Sequence, residues 1–294
     1  MAYTKLQSDY NVHNFFDQFN FFIGQDPTNG FVRYVDGPTA QAQALIRNDN
    51  GRIYIGVDTT NKAPAGRQSL RLESKARYTR GLIVLDLAHM PWGCGTWPAF
   101  WTYGDNWPNN GEIDIIEGVH QQGYNSMALH TSDGCSISGS GQMGVSKSPN
   151  CFVNAPGQVS NQGCQTHDYR GNSWGAGFNN NGGGVYATEW NSNFIKIWFF
   201  PRGQIPADVY SAYPEPASWG TPTAIFQGNC NIGQKFNAHK LVFNITFCGD
   251  WAANVWGSSG CANRAATCNA YVANNPGDFS EAYWMINSLK VWSR

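Results

Sequence analysis

Apolar and polar residues alternate along this chain with period two far more often than with the period of a helix. In Arg52-Ile53-Tyr54-Ile55-Gly56-Val57-Asp58, the residues Ile53, Ile55 and Val57 fall on one face of an extended strand. The run Gly81–His89 (GLIVLDLAH) is continuously apolar and short, as a central strand is. The same reading predicts strands over 69–78, 99–103, 112–117, 126–131, 185–189, 194–200, 240–248 and 283–292. All are short and punctuated by Gly, Asn or Pro, which predicts an all-β chain. Two packed antiparallel sheets are the simplest way to bury one face of each strand. No repeat or linker divides the sequence, so one domain over 1–294 is expected.

Two stretches break this rhythm. Residues 133–184 are rich in Gly, Ser and Asn and carry three cysteines, which predicts a long irregular segment that is functional or covalently tied down. Residues 249–278 contain a predicted short helix near 262–273, stopped by Asn274-Asn275-Pro276.

Composition narrows the function. Only 13% of residues are charged, with 19 Lys plus Arg against 20 Asp plus Glu, where soluble domains usually carry about 25%. A near-neutral chain so poor in cations does not suit nucleic-acid binding, which draws its affinity from phosphate neutralisation. Disorder is excluded by 14% aromatic residues, and the lack of any run of about 18 apolar residues excludes a membrane-spanning helix. The eight cysteines (94, 135, 151, 164, 230, 248, 261, 268) contain no Cys-x-x-Cys pair, so they read as disulfides of an oxidising compartment, with buried thiols as the competing reading. The one local pairing the spacing suggests is Cys261 with Cys268. The start Met1-Ala2-Tyr3-Thr4 lacks the basic-then-apolar order of a secretory leader, so a mature, secreted form carrying an added start codon is expected.

The strongest chemical signal is Gly111-Glu112-Ile113-Asp114-Ile115-Ile116-Glu117-Gly118. Three carboxylates lie within six residues, with isoleucines between them. On a regular strand Glu112 and Asp114 share a face and Glu117 points away. A β-bulge at Ile115-Ile116 would bring Glu117 back to that face, as bulges do beside active sites. Carboxyls held together raise at least one pKa, giving one acid and one carboxylate at the same pH. Glycoside hydrolysis needs that pair. The competing readings are a solvated acidic strand face and a cation site, although calcium more often takes loop Asp and carbonyl ligands.

Aromatic density supports a sugar ligand. Trp92, Trp97, Trp101, Tyr103 and Trp107 precede the acidic strand, and Trp251 and Trp256 lie in a loop-like context. Sugar rings offer apolar faces to indoles, although any one of these tryptophans could be core. His130 lies on the expected neighbouring strand and could face the acidic one; Arg71 could bond a sugar or pair with Glu73. Asn244-Ile245-Thr246 matches a glycosylation triplet, but inside a predicted strand. Zinc-protease, Gly-x-Ser-x-Gly, Walker and dinucleotide-binding motifs are absent.

The segment Glu112–Glu117 resembles the Glu-x-Asp-x-x-Glu motif of glycoside hydrolase family 16, in the form with the extra bulge residue that marks its laminarinase-like branch. Residues 89–99 (HMPWGCGTWPA), 129–131 (LHT), 194–201 (FIKIWFFP) and 244–251 (NITFCGDW) are also similar to the fungal laminarinase-like enzymes of that family. The stretch from Trp101 to Trp107 is a residue shorter than the fungal pattern. The resemblance implies a β-jelly-roll sandwich with a concave cleft and retaining endo-hydrolysis of β-1,3- or mixed β-1,3/1,4-glucans. It implies Glu112 as nucleophile, Glu117 as general acid/base and Asp114 as the residue that bonds the nucleophile and sets the proton balance. It further implies substrate contacts for His130, Trp101, Trp107, Trp251 and Arg71. No cofactor is required; a structural calcium on the convex side occurs in some members, and nothing in this chain demands one. The expected partner of this secreted monomer is a neutral β-glucan, with neither nucleic acid nor membrane. A transglycosylase of the same fold is the alternative; a non-catalytic sugar-binding module would need the aromatics but not the triad.

Overall fold

In the computed structural model, which describes residues 1–294, the predicted period-two segments become strands of two large antiparallel sheets. The chain opens with β1 (Lys5–Tyr10), β2 (Phe19–Phe21), β3 (Val32–Tyr34), β4 (Ile46–Asp49) and β5 (Arg52–Ile55). There follow β6 (Arg67–Ser69), β7 (Arg71–Ser74), β8 (Gly81–His89), β9 (Thr96–Gly104) and β10 (Glu112–Glu117). Next come β11 (Asn125–His130), β12 (Cys135–Ile137), β13 (Val145–Ser148), β14 (Cys164–Asp168) and β15 (Gly184–Trp190). The last are β16 (Ile195–Pro201), β17 (Ala224–Phe226), β18 (Gly228–Cys230), β19 (His239–Phe247) and β20 (Trp284–Ser293).

One sheet runs β17-β16-β15-β8-β20-β5-β4, with β1 also paired to β20. The other runs β13-β14-β11-β10-β9-β19-β7-β2. Their facing sides form a core of 54 residues, in which Ile53, Leu85, Phe100, Ile113, Ile116, Leu129, Phe243 and Ile286 meet. The result is the expected all-β jelly-roll sandwich. Ile53, Ile55 and Val57 are all buried, although the strand stops at Ile55. A second apolar cluster, including Val84, Ala187, Trp198 and Trp219, packs away from this core. No helix is long and apolar enough to cross a membrane.

Several expectations need correction. The predicted strand 69–78 is two strands, β6 and β7, broken at Leu70: β6 pairs in parallel with β3, whereas β7 joins the large sheet beside β19. Residues 133–184 are not irregular throughout; they hold β12, β13, β14 and the helix Gly175–Asn180. They are tied down as expected, by Cys135–Cys230 and Cys151–Cys164. The helix predicted at 262–273 runs Cys268–Asn274, because Thr267 caps it by accepting the Ala270 N–H. Cys261 does not pair with Cys268: Cys261 joins Cys94 and Cys268 joins Cys248. Sheet packing carries both to distant partners, and no cysteine is free.

Candidate active site

The site is built on β10, at the centre of its sheet between β9 and β11. Gly111 opens the strand at φ +79, where a Cβ would stand 2.4 Å from the Phe236 ring; only glycine passes there. Against β9 the register runs Glu112 to Tyr103, Ile113 to Thr102 and Asp114 to Trp101, then resumes at Ile116 to Phe100 and Glu117 to Ala99. Ile115 is the extra residue, and the bulge lies where the sequence predicts it. Ile113, Ile115 and Ile116 are fully buried, which leaves Glu112, Asp114 and Glu117 on the opposite face.

Pairing with β11 ends at Asp114 opposite Ala128, and the Asn125 side chain takes over from there. Its Nδ2 donates to the Ile115 carbonyl (2.9 Å), and its Oδ1 accepts the Glu117 N–H (3.0 Å). Both backbone groups that the bulge would orphan are thereby satisfied.

Each outer carboxylate accepts an indole N–H. Trp107 Nε1 donates to Glu112 Oε2 at 2.5 Å, and Trp97 Nε1 donates to Glu117 Oε1 at 2.9 Å. His130 Nε2 sits 2.9 Å from Asp114 Oδ2 and 3.9 Å from Glu112 Oε1. Burial pushes the Glu117 carboxyl up to about 7; the Trp97 bond and His130 oppose that rise, and Glu112 adds to it. Burial, then the charges of Glu112 and Glu117, hold Asp114 well above the ordinary carboxylate range. Glu112, Asp114 and His130 each offer one ligand atom within 4.8 Å of the others.

Of the predicted aromatic residues, Trp97, Trp101, Tyr103, Trp107 and Trp251 stand around this centre, whereas Trp256 is buried in the core and Trp92 packs against it. Trp101, opposite Asp114, stacks on Tyr103 and donates to Asn244 Oδ1 at 3.0 Å. Asn244 Nδ2 in turn donates to the Tyr34 hydroxyl, so this buried amide has both ends engaged and offers no glycan acceptor. Trp107 is 42% exposed. Trp251 stands edge-on to Trp97, with ring centroids 5.7 Å apart. Cys248 positions it: this non-glycine residue adopts φ +59, bonds Gly95 through its backbone, and is cross-linked to Cys268. Arg71 forms the pair with Glu73 (2.9 Å) and lies against Trp101 and Phe22.

The sequence signalled Trp97 only as part of an aromatic run, and it gave no hint of Asn125 or His120. His120 accepts the Gly95 N–H at Nδ1 and donates from Nε2 to the Ala252 carbonyl. Only a neutral imidazole with its proton on Nε2 makes both bonds, and burial favours that form by lowering the His120 pKa. His120 thus ties the turn after β10 to the segment bearing Trp251.

A family model described as "XgeA-like, catalytic GH16 domain" matches residues 19–292. The chain belongs to glycoside hydrolase family 16. It is 50% identical to an endo-1,3(4)-β-glucanase of Arthroderma benhamiae, over 98% of this chain and 65% of that protein. It superposes on laminarinase 16A of Phanerochaete chrysosporium, solved with two β-glucans in donor and acceptor sites, with a TM-score of 0.94 and 42% identity over the whole of both chains. It is also similar to an elongating family 16 β-1,3-glucosyltransferase (TM-score 0.91, 44% identity, 98% of this chain and 99% of that one). This family 16 chain spans 40% to 68% of the length of the curated fungal relatives it matches.

Proposed function

We propose that this chain is a single secreted catalytic domain that cleaves β-1,3- or mixed β-1,3/1,4-glucans internally, with retention. The observation that carries the reading is the bulge at Ile115, which aligns three carboxyls on one face and leaves Glu117 a proton up to about pH 7. Glu112 attacks the anomeric carbon while Glu117 gives its proton to the departing glycosidic oxygen, and a glycosyl ester forms on Glu112. Glu117, now a carboxylate, takes a proton from water as the water oxygen displaces the ester; two inversions give retention. Asp114 shares a proton with Glu112, and His130 borders the pair. Trp101, Trp107 and Trp251 line the glycone side, and Arg71 braces Trp101 beside its contact to the sugar. No cofactor takes part in these steps. Four disulfides favour an extracellular setting. A neutral glucan suits a site walled by indoles and poor in cations, and a monomer suffices.

Two variants test the roles. Glu112→Ser should abolish hydrolysis of laminari-oligosaccharides while still binding them in calorimetry. Glu117→Ala should still react with an activated aryl glycoside, and added azide should yield a β-glycosyl azide. Turnover by the first variant, or no β-azide from the second, overturns the assignment. Transglycosylation is the second reading, favoured by the likeness to the elongating glucosyltransferase. Products longer than the donor would reveal it.

A further inference from the structure

The sheet on the far side of the core from the three carboxyls carries a second concavity, with no part in the chemistry above. Along β15, Tyr186 and Trp190 point into the core, whereas Val185 and Ala187 join the outer apolar cluster. Glu189 therefore lies on the outer face, and so does Lys196, between the core residues Ile195 and Ile197 of β16. That face and the face of the carboxyls look in opposite directions. Glu189, Phe194, Lys196, Trp198, Pro216 and Arg294 line a pocket of about 210 Å³ there.

Glu189 and Lys196 are directly opposite in the β15–β16 register, and neighbours of opposite charge so placed ordinarily pair. These two do not. Glu189 Oε1 accepts the Tyr3 hydroxyl at 3.1 Å and the Arg294 guanidinium at 2.7 Å, and Oε2 has no partner in the protein. The Lys196 ammonium lies 4.0 Å from the centre of the Phe194 ring and meets no carboxylate or carbonyl. Glu189 is 5% exposed, and an acceptor on so buried a carboxylate is satisfied only from the pocket it lines. The wall is fixed: Trp198 Nε1 donates to the Gly220 carbonyl (3.1 Å), and Trp219 is bonded to Asp208, which holds the loop that bears Pro216. Glu189 disfavours an anion here, and Lys196 and Arg294 disfavour a cation. A neutral ring bearing hydroxyls answers the free acceptor, the free donor and the aromatic wall together, because each hydroxyl both donates and accepts.

We propose that this pocket is a second, non-catalytic sugar site that takes one glucosyl unit of a β-glucan. One sugar hydroxyl donates to Glu189 Oε2, another accepts from Lys196 Nζ, and a C–H face lies against Phe194 and Trp198. The choice of a β-glucan rests on the function proposed above; the preference for a neutral sugar rests on the pocket's own residues. A protein that grips the glucan on the face away from its cleft stays on an insoluble substrate between cleavage events. The gain appears on glucan particles, where both sites are engaged at once, and not on short soluble chains.

Adsorption to insoluble β-1,3-glucan particles tests this, measured in the Glu112→Ser background so that bound glucan is not cleaved. Adding Lys196→Met or Phe194→Ala should weaken adsorption about fivefold. Lys62→Met, which removes an exposed charge elsewhere, should match the parent. With Glu112 restored, the Lys196 and Phe194 variants should keep the melting temperature of the unsubstituted protein and its kcat/KM on laminaritetraose. Absent adsorption by the parent, unchanged adsorption in either variant, an equal loss in Lys62→Met, or a matching loss of kcat/KM overturns the pocket. Failure of the unsubstituted protein to cleave laminaritetraose overturns the catalytic reading instead, because adsorption is read without turnover.

Discussion

Glu117 shows how one side chain's surroundings set its chemistry. Burial raises its pKa, and the Trp97 indole N–H opposes that rise by bonding the charged form. In the proposed mechanism its acid form protonates the leaving oxygen, so activity should fall as pH climbs through about 7. Trp97→Phe removes the donor and destabilises the carboxylate, which raises the pKa. The alkaline limb of kcat/KM should then move to higher pH by about one unit, the worth of a charged hydrogen bond. A pH–rate profile of the two proteins checks this; a limb that stays or moves down contradicts it. The sequence showed Trp97 among five neighbouring aromatics but could not single it out. Its role depends on standing beside Glu117 across the β9–β10 pair.

The bulge on β10 is the element-scale counterpart. The spacing of Glu117 from Glu112 and Asp114, on a strand bounded by glycines, made it legible in the sequence. Its clamp was not, because Asn125 reaches it from the next strand. Asn125→Ala leaves the Ile115 carbonyl and the Glu117 N–H unpaired in a buried place, at a cost of about 2–3 kcal/mol in urea unfolding. It should lower kcat about tenfold or more with little change in KM, because Glu117 loses its position while the tryptophans proposed to hold the sugar stay. Wild-type kcat would contradict the clamp. The strands missed in the first fifty residues have another cause. β1 lies outside the main strand path and is largely exposed, while β2 and β3 span three residues each and β4 only four, so none carries an extended alternation.

At the scale of the whole molecule, four disulfides join segments that the sheets bring together. Cys248–Cys268 fixes the backbone that presents Trp251, whereas Cys135–Cys230 joins β12 to β18, a two-stranded sheet apart from the one that carries the three carboxyls. Replacing either pair by alanine should cost about 2–4 kcal/mol in thermal unfolding. Only the Cys248/Cys268 double variant should also raise KM for laminari-oligosaccharides; an equal rise in both would remove the link between that disulfide and the site. The low charge content takes on meaning at this scale as well. Three of the 20 acidic residues stand together at the centre, and Arg71, Glu73 and Lys240 pair beside it.

The sequence by itself determined the strand periodicity, the two-sheet class, the three carboxyls with their bulge, and the presence of covalent staples. Each is written in neighbouring residues, where period, spacing and residue type act locally. Tertiary structure alone decided that Cys261 seeks Cys94, and that Trp97 and Trp107 serve different carboxylates. It alone showed that Asn125 and His120 brace the centre, and that Glu189, Lys196 and Arg294 gather about one pocket. The partners in most of these contacts lie from about twenty to well over a hundred residues apart. Sheet pairing and the closing of the core bring them together, and no local pattern encodes such distances.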